Sequence, residues 1–349
     1  MSRLRTTEAA VLVELGRPLE LMTLEIPALK PGQVLVDVAY SGVCHSQLNE
    51  ARGKRGPDRF LPHCMGHEGA GTVVEVGEGV TKVRVGDPVV LSWIKGDGMD
   101  VPGTVYGSAR GAVNSGACCT FMRRTVTCES RVTPLPATMP LQEAALLGCA
   151  IPTGGGMILN TASVQPGQAV AVFGVGGIGL SAVMVAAMVG ASPVIAVDIN
   201  PAHLEQALSL GATHVIDAGA EVPAEAIARI TAGRGVDVSV EAAGRPEVMA
   251  AAFQAARNFG GLCILAGNVA FGERLSIDPF DLIRGKKLVG SWGGESVPDR
   301  DVPRYAAFHA QGKLPLNRLI SHEFPLEGVN DALDALERGE VGRAIINMG

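Results

Sequence analysis

The sequence predicts an α/β protein in which a doubly wound parallel sheet is joined to a mainly β region. Three observations carry that expectation. From residue 168 onward, short apolar runs alternate with helical segments of about ten residues, the grammar of a parallel sheet covered on both faces. The first 135 residues instead hold short Val- and Thr-rich runs bounded by Gly or Pro. The length of 349 residues exceeds what one hydrophobic core serves, roughly 250 to 300, so two domains are expected.

In chain order, the apolar run at 9–13 is too short for the core of a signal peptide. Segments 34–40, 71–80, 87–92 and 120–127 read as strands of a small barrel or sandwich. Strand and helix then alternate: 169–174 with 177–189, 193–198 with 201–210, 213–217 with 222–231, 236–244 with 246–257, and then 261–267. After residue 290 the text is mixed, with a helix expected at 329–337 and a last strand at 343–348, so that the C-terminal residues rejoin the first domain.

Composition narrows the function classes. With 47% hydrophobic and 18% charged residues, the chain has ample material for burial. Only 4% aromatics beside 45 glycines suits tight βα turns and close helix–sheet packing. A net charge of −6 argues against nucleic acid or an anionic membrane as an obligatory partner. Residues 169–197 carry no charge, yet "VFGVGGIGL" and "GASP" break them into pieces of different period, so no membrane span is expected there. Seven scattered cysteines, an odd number, fit reduced thiols and a cytoplasmic location.

"AVAVFGVGGIGL" places Gly174, Gly176 and Gly179 in G-x-G-x-x-G spacing, between an apolar strand and a helix, the context a dinucleotide site requires. The first glycine permits the tight turn, the second lets backbone N–H groups approach a pyrophosphate, and the third lets the helix pack on the strand. Gly177 belongs to the same turn, and the helix N-terminus adds orphan donors and a partial positive charge. Asp198 ends the next strand; a carboxylate there accepts from ribose hydroxyls and repels a 2′-phosphate, which predicts NAD rather than NADP.

"SGVCHSQLNEARG" (41–53) sets a cysteine beside a histidine in a chain without zinc-ribbon spacing. A catalytic zinc needs three protein ligands and one open position, and the ligands can come from distant segments. Cys44, His67 in "GHEGAG" and Cys149 in "LLGCAIP" are candidates for such a set. The residues alone leave open the plainer reading, in which these are small core thiols.

"GVCHS", "GHEGAGTVVEVGEGVTKVRVGDPVV", "LLGC", "VFGVGGIGL" and "VDI", in this order over nearly the whole chain, resemble the zinc-dependent alcohol dehydrogenases of the medium-chain dehydrogenase/reductase superfamily. The resemblance implies a GroES-like catalytic domain, residues 1–153 and 290–349, split by a Rossmann NAD-binding domain, residues 154–289. It implies one catalytic Zn2+ held by Cys44, His67 and Cys149 with Glu68 nearby, and hydride transfer between an alcohol or polyol and NAD. Ser46 matches the hydroxyl that bonds the alcohol, and His45 and Arg343 match residues that face the cofactor pyrophosphate. Thr153 and Ile178 match residues packed behind the nicotinamide, and His203 matches the place of a ribose-binding lysine. A homodimer or homotetramer is implied as well.

Three departures stand out. Relatives with a second, structural zinc hold it through four close cysteines after the "GDPVV" strand; here residues 91–121 carry only the adjacent pair Cys118 and Cys119, so one zinc per subunit is expected. Gln47 replaces an Asp that supports a zinc-ligating histidine, and Asn49 replaces the histidine that ends a proton relay. Two other readings compete: a zinc-free, NADPH-dependent quinone or enone reductase of the same superfamily, and a nucleotide-binding protein without turnover.

Overall fold

The run Val170–Phe173 is buried at all four positions, which a central strand covered by helices on both faces requires. In the computed structural model, which describes residues 5–349, it lies inside a six-stranded sheet. The order across the sheet is His214–Asp217, Val194–Asp198, Val170–Phe173, Val238–Glu241, Leu262–Leu265 and Lys287–Gly290, with every neighbouring pair parallel. Numbered along the chain this is 3-2-1-4-5-6, the doubly wound order in which the crevice beyond the carboxyl ends of the first and fourth strands receives a ligand. The helix Gly177–Met188 is buried without a break from Gly179 to Ala186. Its small side chains (Ala, Val, Ser) allow that close approach to the sheet. Phe173, Ile195, Ile227, Phe253 and Cys263 form the core on one face.

The other unit comprises the chain up to Cys149 together with Val297–Gly349. Its long strand Gln33–Gly42 organises it, pairing antiparallel with Glu68–Val76, with Arg124–Cys128 and with the C-terminal strand Ala344–Asn347. Beside this sheet, Thr6–Leu12, Glu20–Glu25, Val105–Ser108, Gly111–Asn114 and His63–Cys64 close a small barrel. The barrel's strands are only two to seven residues long, and apolar Leu21 and Val105 are exposed in them, so periodicity shows them weakly in the sequence. Val105–Ser108 and Gly111–Asn114, which form a hairpin, lie within residues 91–121, the segment expected to lack a structural zinc.

The structure cuts the chain after Cys149 and after Ser296, where the sequence reading placed the cuts after 153 and 289. The reason is local. Helix Ala150–Gly156 is buried along its whole length, and the turn Gly293–Glu295 closes on it. Ser296 Oγ donates to the Pro152 carbonyl at 2.8 Å. Gly294, at φ +69°, approaches so closely that a Cβ there would stand 2.1 Å from that same oxygen. Among the described residues no single helix is long and apolar enough to cross a membrane; the uncharged stretch 169–197 is strand, helix and strand.

Gly294→Ala therefore meets both an unfavourable φ and a backbone collision, and should cost about 2–4 kcal/mol in urea unfolding. Gly312 has the same φ of +69° with nothing within 4 Å of a Cβ, so Gly312→Ala should cost only about 1 kcal/mol. Equal losses in the two variants would show that the contact contributes nothing.

Candidate active site

Cys44 stands where the strand Gln33–Gly42 hands over to the helix His45–Ala51, as its N-cap residue in an extended conformation. Gln47, 1% exposed, turns back and accepts the Cys44 backbone N–H at 2.7 Å. The amide that replaces the expected acid thus braces Cys44 rather than a histidine.

His67 and Glu68 lie at the start of the strand Glu68–Val76. The His67 carbonyl accepts the Trp93 N–H at 3.0 Å. The Glu68 carbonyl accepts from Ser41 Oγ at 2.9 Å and Thr120 Oγ1 at 3.0 Å. Cys149 is delivered by the turn Ala145–Gly148. A Cβ on Gly148 would lie 2.3 Å from the Leu91 carbonyl oxygen and 2.9 Å from Glu68 Cα, and Ser92 Oγ donates to the Gly148 carbonyl at 2.7 Å. Only glycine lets the chain run this close to the strands Glu68–Val76 and Pro88–Ser92, which His67 and Trp93 flank.

The result is a gathering of soft and borderline donors. One ligand atom each from Cys44, His67, Glu68 and Cys149 lie within 4.8 Å of one another. The hydrogen bond from Cys149 draws the Cys44 thiol well below its ordinary pKa, helped by His67 and Arg343. The same bond, with burial, pushes Cys149 well above its own. Burial opposes a charge on His67, but the hydrogen bond and charge of Cys44 outweigh it and raise the imidazole pKa. Two thiols thus share a proton that a cation can replace, and two sulfurs with one imidazole nitrogen are the donor set of a catalytic Cys2His zinc site.

Glu68 is fully buried, and burial raises its pKa while Arg343 pulls it back. The Arg343 guanidinium forms an ion pair with Glu68 and donates to the Val43 carbonyl at 3.0 Å. Arg343, matched by resemblance to a pyrophosphate contact, is thus placed against Glu68 and is 3% exposed. Ser46 Oγ lies 3.4 Å from His67 Nδ1, in the first turn of the helix whose N-terminal face His45 exposes.

In the other unit, the glycine turn after Val170–Phe173 divides its tasks. Gly174 has φ +82°, and a Cβ there would meet Ala243 N at 2.7 Å. Gly176 caps the helix and faces open space, while a Cβ on Gly179 would stand 2.0 Å from the Gly174 carbonyl oxygen. Gly177 and Ile178 form the first turn of that helix, and Thr153 is buried in Ala150–Gly156. Asp198 accepts the Val175 N–H at 2.7 Å and the Asn200 N–H at 2.9 Å. Burial alone would raise the Asp198 pKa; these bonds and His203, 3.7 Å away, hold it below the usual range. The buried His203 Nε2 has no hydrogen-bond partner among the described residues.

A family model described as an alcohol dehydrogenase GroES-like domain matches residues 30–137, and one described as a zinc-binding dehydrogenase matches residues 177–311. The S-(hydroxymethyl)glutathione dehydrogenase of Synechocystis sp. is 34% identical over 98% of this chain and 99% of its own. The chain belongs to the zinc-dependent alcohol dehydrogenase family. Within that family, the S-(hydroxymethyl)glutathione dehydrogenase of Escherichia coli is 33% identical over 97% of this chain and 99% of its own. The crystal structure of benzyl alcohol dehydrogenase from Acinetobacter calcoaceticus matches with a TM-score of 0.90 and 31% identity, covering 99% of each chain. An alcohol dehydrogenase zinc-binding domain protein from Burkholderia ambifaria gives 0.91 and 32%, again over 99% of each.

In this zinc-dependent alcohol dehydrogenase, the segment after Pro88–Ser92 is knit by a buried carboxylate. Glu129, 2% exposed, accepts the backbone N–H groups of Thr81 at 2.6 Å, Lys82 at 2.7 Å and Met99 at 2.8 Å. Asp299 adds the Asp97 N–H at 2.6 Å and Lys82 Nζ at 2.5 Å. Sequence reasoning missed Glu129: nothing near it in the chain announces that its partners are 30 and nearly 50 residues away.

Burial would raise the Glu129 pKa, but the three N–H groups outweigh it and hold the carboxyl below the usual range. A group whose folded pKa is depressed contributes stability above its unfolded pKa, about 4.3, and loses it as pH falls through the folded value. Glu129→Gln should therefore lower unfolding free energy by about 2–3 kcal/mol at pH 7. The difference from wild type should shrink as pH drops below about 4. A pH-independent difference would show that the charge plays no part.

Proposed function

We propose that this chain catalyses zinc-dependent, NAD-linked hydride transfer between an alcohol or polyol and the cofactor, giving an aldehyde or ketone. The observation that carries this reading is the convergence of Cys44, His67 and Cys149 donor atoms beside the Glu68–Arg343 pair. These residues would hold one catalytic Zn2+ per subunit. When bound, zinc supplies a Lewis acid that lowers the pKa of an alcohol hydroxyl, and the nicotinamide supplies a hydride acceptor.

The chain's own groups do the rest. Ser46, 3.4 Å from His67 Nδ1, would accept the hydroxyl proton as the alcohol ionises and pass its own proton on. Asn49 offers no imidazole to carry that proton onward, so water or another base would have to take it. Glu68, kept beside the ligands by Arg343, adjusts the charge around them and touches no substrate itself. Gly174, Gly176, Gly177 and Gly179 form the pyrophosphate cradle, which the open space at Gly176 suits. Asp198 takes the ribose diol, with His203 Nδ1 3.7 Å from it, and His45, Thr153 and Ile178 complete the cofactor contacts. A carboxylate with two N–H groups already bound stays ionised and repels a 2′-phosphate, which favours NAD over NADP.

The zinc-free quinone reductase reading loses support from the same donor cluster, and a binding protein without turnover has no use for it. Lys287–Gly290 is an edge strand with mostly exposed side chains, and Trp292 beyond it is 79% exposed. An unpaired edge of this kind supports a homodimer or homotetramer as the working form. The seven cysteines form no disulfide among the described residues, which suits a reducing, cytoplasmic setting.

A panel of S-(hydroxymethyl)glutathione, benzyl alcohol, simple alcohols and polyols with NAD and NADP tests the proposal. At least one alcohol should reduce NAD in a reaction abolished by chelation and restored by Zn2+. The absence of any such activity would overturn the reading. Metal analysis after exhaustive dialysis should return one zinc per chain, lost in Cys149→Ser. Asp198→Ala should lower the ratio of kcat/KM with NAD to that with NADP by about tenfold or more, about 1.4 kcal/mol of discrimination.

A further inference from the structure

The loop 52–62 joins the helix that begins at Cys44 to the strand that leads to His67, and a three-residue cluster ties its ends together. Glu50 lies on the helix His45–Ala51, Asp58 in the loop and His63 on the strand His63–Cys64. His63 is 8% exposed. Its Nδ1 lies 3.0 Å from the Cys64 carbonyl oxygen. A carbonyl can only accept, so Nδ1 carries the hydrogen. The other ring nitrogen, Nε2, is aimed at two carboxylates: Asp58 Oδ2 at 2.9 Å and Glu50 Oε1 at 3.8 Å.

With Nδ1 protonated, a neutral His63 turns a lone pair toward oxygens that also carry only lone pairs. Such a group of acceptors is stable only around a cation, either a second ring proton or a metal ion. A histidine that donates Nδ1–H to a backbone carbonyl while Nε2 faces carboxylates is arranged as metal-ligating histidines are. The spacing also fits. An ion with bonds of about 2.1 Å sets its ligands about 3.0 Å apart in an octahedron and about 3.4 Å apart in a tetrahedron. The two observed separations, 2.9 and 3.8 Å, bracket those values, and all three atoms lie within 4.8 Å of one another.

The surroundings leave the position open to an ion. Asp58 is fixed through its other oxygen, which accepts the Phe60 N–H at 2.7 Å. Among the described residues, His63 is its ion-pair partner and no lysine or arginine reaches it. Glu50 has Arg55 at 3.4 Å on its far oxygen. Glu50 and Asp58 also line a cavity of about 550 Å³ with Leu15, Arg55 and Phe60, which gives room for an ion and its water ligands.

We propose that Glu50, Asp58 and His63 form a second divalent-cation site, separate from the cysteine centre, which takes a Mn2+-like or Zn2+-like ion through one nitrogen and two oxygens. With no thiolate it binds more weakly than the cysteine centre and exchanges with solution, so it is empty after exhaustive dialysis. When filled, it pins the loop between Cys44 and His67 and so steadies the spacing of two ligands of the first site. This inference does not depend on the substrate or on turnover.

The test is a titration of the dialysed, zinc-loaded enzyme with MnCl2, following free Mn2+ by electron paramagnetic resonance; Mn2+ is chosen because thiolates compete poorly for it. Wild type should remove one equivalent of Mn2+ per chain from the free signal, and its thermal midpoint should rise with Mn2+. Asp58→Asn and His63→Gln should remove none and show no such rise, while keeping their dialysis-resistant zinc. Glu50→Gln, at a half-exposed helix position, carries the comparison if His63→Gln does not fold. No uptake by wild type at millimolar Mn2+ would mean that the cluster is an imidazolium between two carboxylates and overturn the proposal. Equal uptake by wild type and the variants would place the ion elsewhere and overturn it equally.

Discussion

The structure turns on the ion pair between Glu68 and Arg343. Two thiols, an imidazole and a carboxylate crowd together in the first unit, and Glu68 is fully buried among them. Such a group accumulates negative charge that the interior does not tolerate unpaired. Arg343 supplies the balancing cation from the start of the last strand, Ala344–Asn347, which pairs with Gly42, Ser41 and Tyr40. The return of the C-terminus to the N-terminal sheet is thus more than architecture. It closes the electrostatics of a site whose other members all lie in the first 149 residues.

Much of this was legible in the sequence, and the reasons differ by element. The alternation after residue 168 announced the parallel sheet because strands buried on both faces are continuous apolar runs, and the helices between them have a different period. The glycine turn was legible from its spacing between strand and helix; a Cβ would collide at Gly174 and at Gly179, whereas Gly176 faces open space. Cys44, His67 and Cys149 were legible as candidates only, since nothing in a sequence says that residues 23 and 105 positions from Cys44 share a point in space. Family resemblance, not spacing, named them together.

What escaped the sequence was contact between distant backbone and side chains. The boundary at Ser296 depends on a hydroxyl meeting the Pro152 carbonyl, 144 residues away. The placement of Arg343 against Glu68 depends on strand pairing across most of the chain. Gln47 was read as a weakened support for a histidine ligand, whereas in the structure it accepts the backbone N–H of Cys44. In each case the residue type was informative and the partner was not, because register and turn geometry choose the partner.

The carboxylate lattice around Glu129 has a consequence for how the protein ages. Four-thiolate lobes depend on sulfur that oxidises and on a metal that chelators remove, and either loss loosens the surrounding loops. Here the loops at 80–82 and 97–99 hang on one carboxylate whose grip depends on neither oxidant nor metal supply. These three hydrogen bonds therefore persist whether or not the catalytic centre holds its ion.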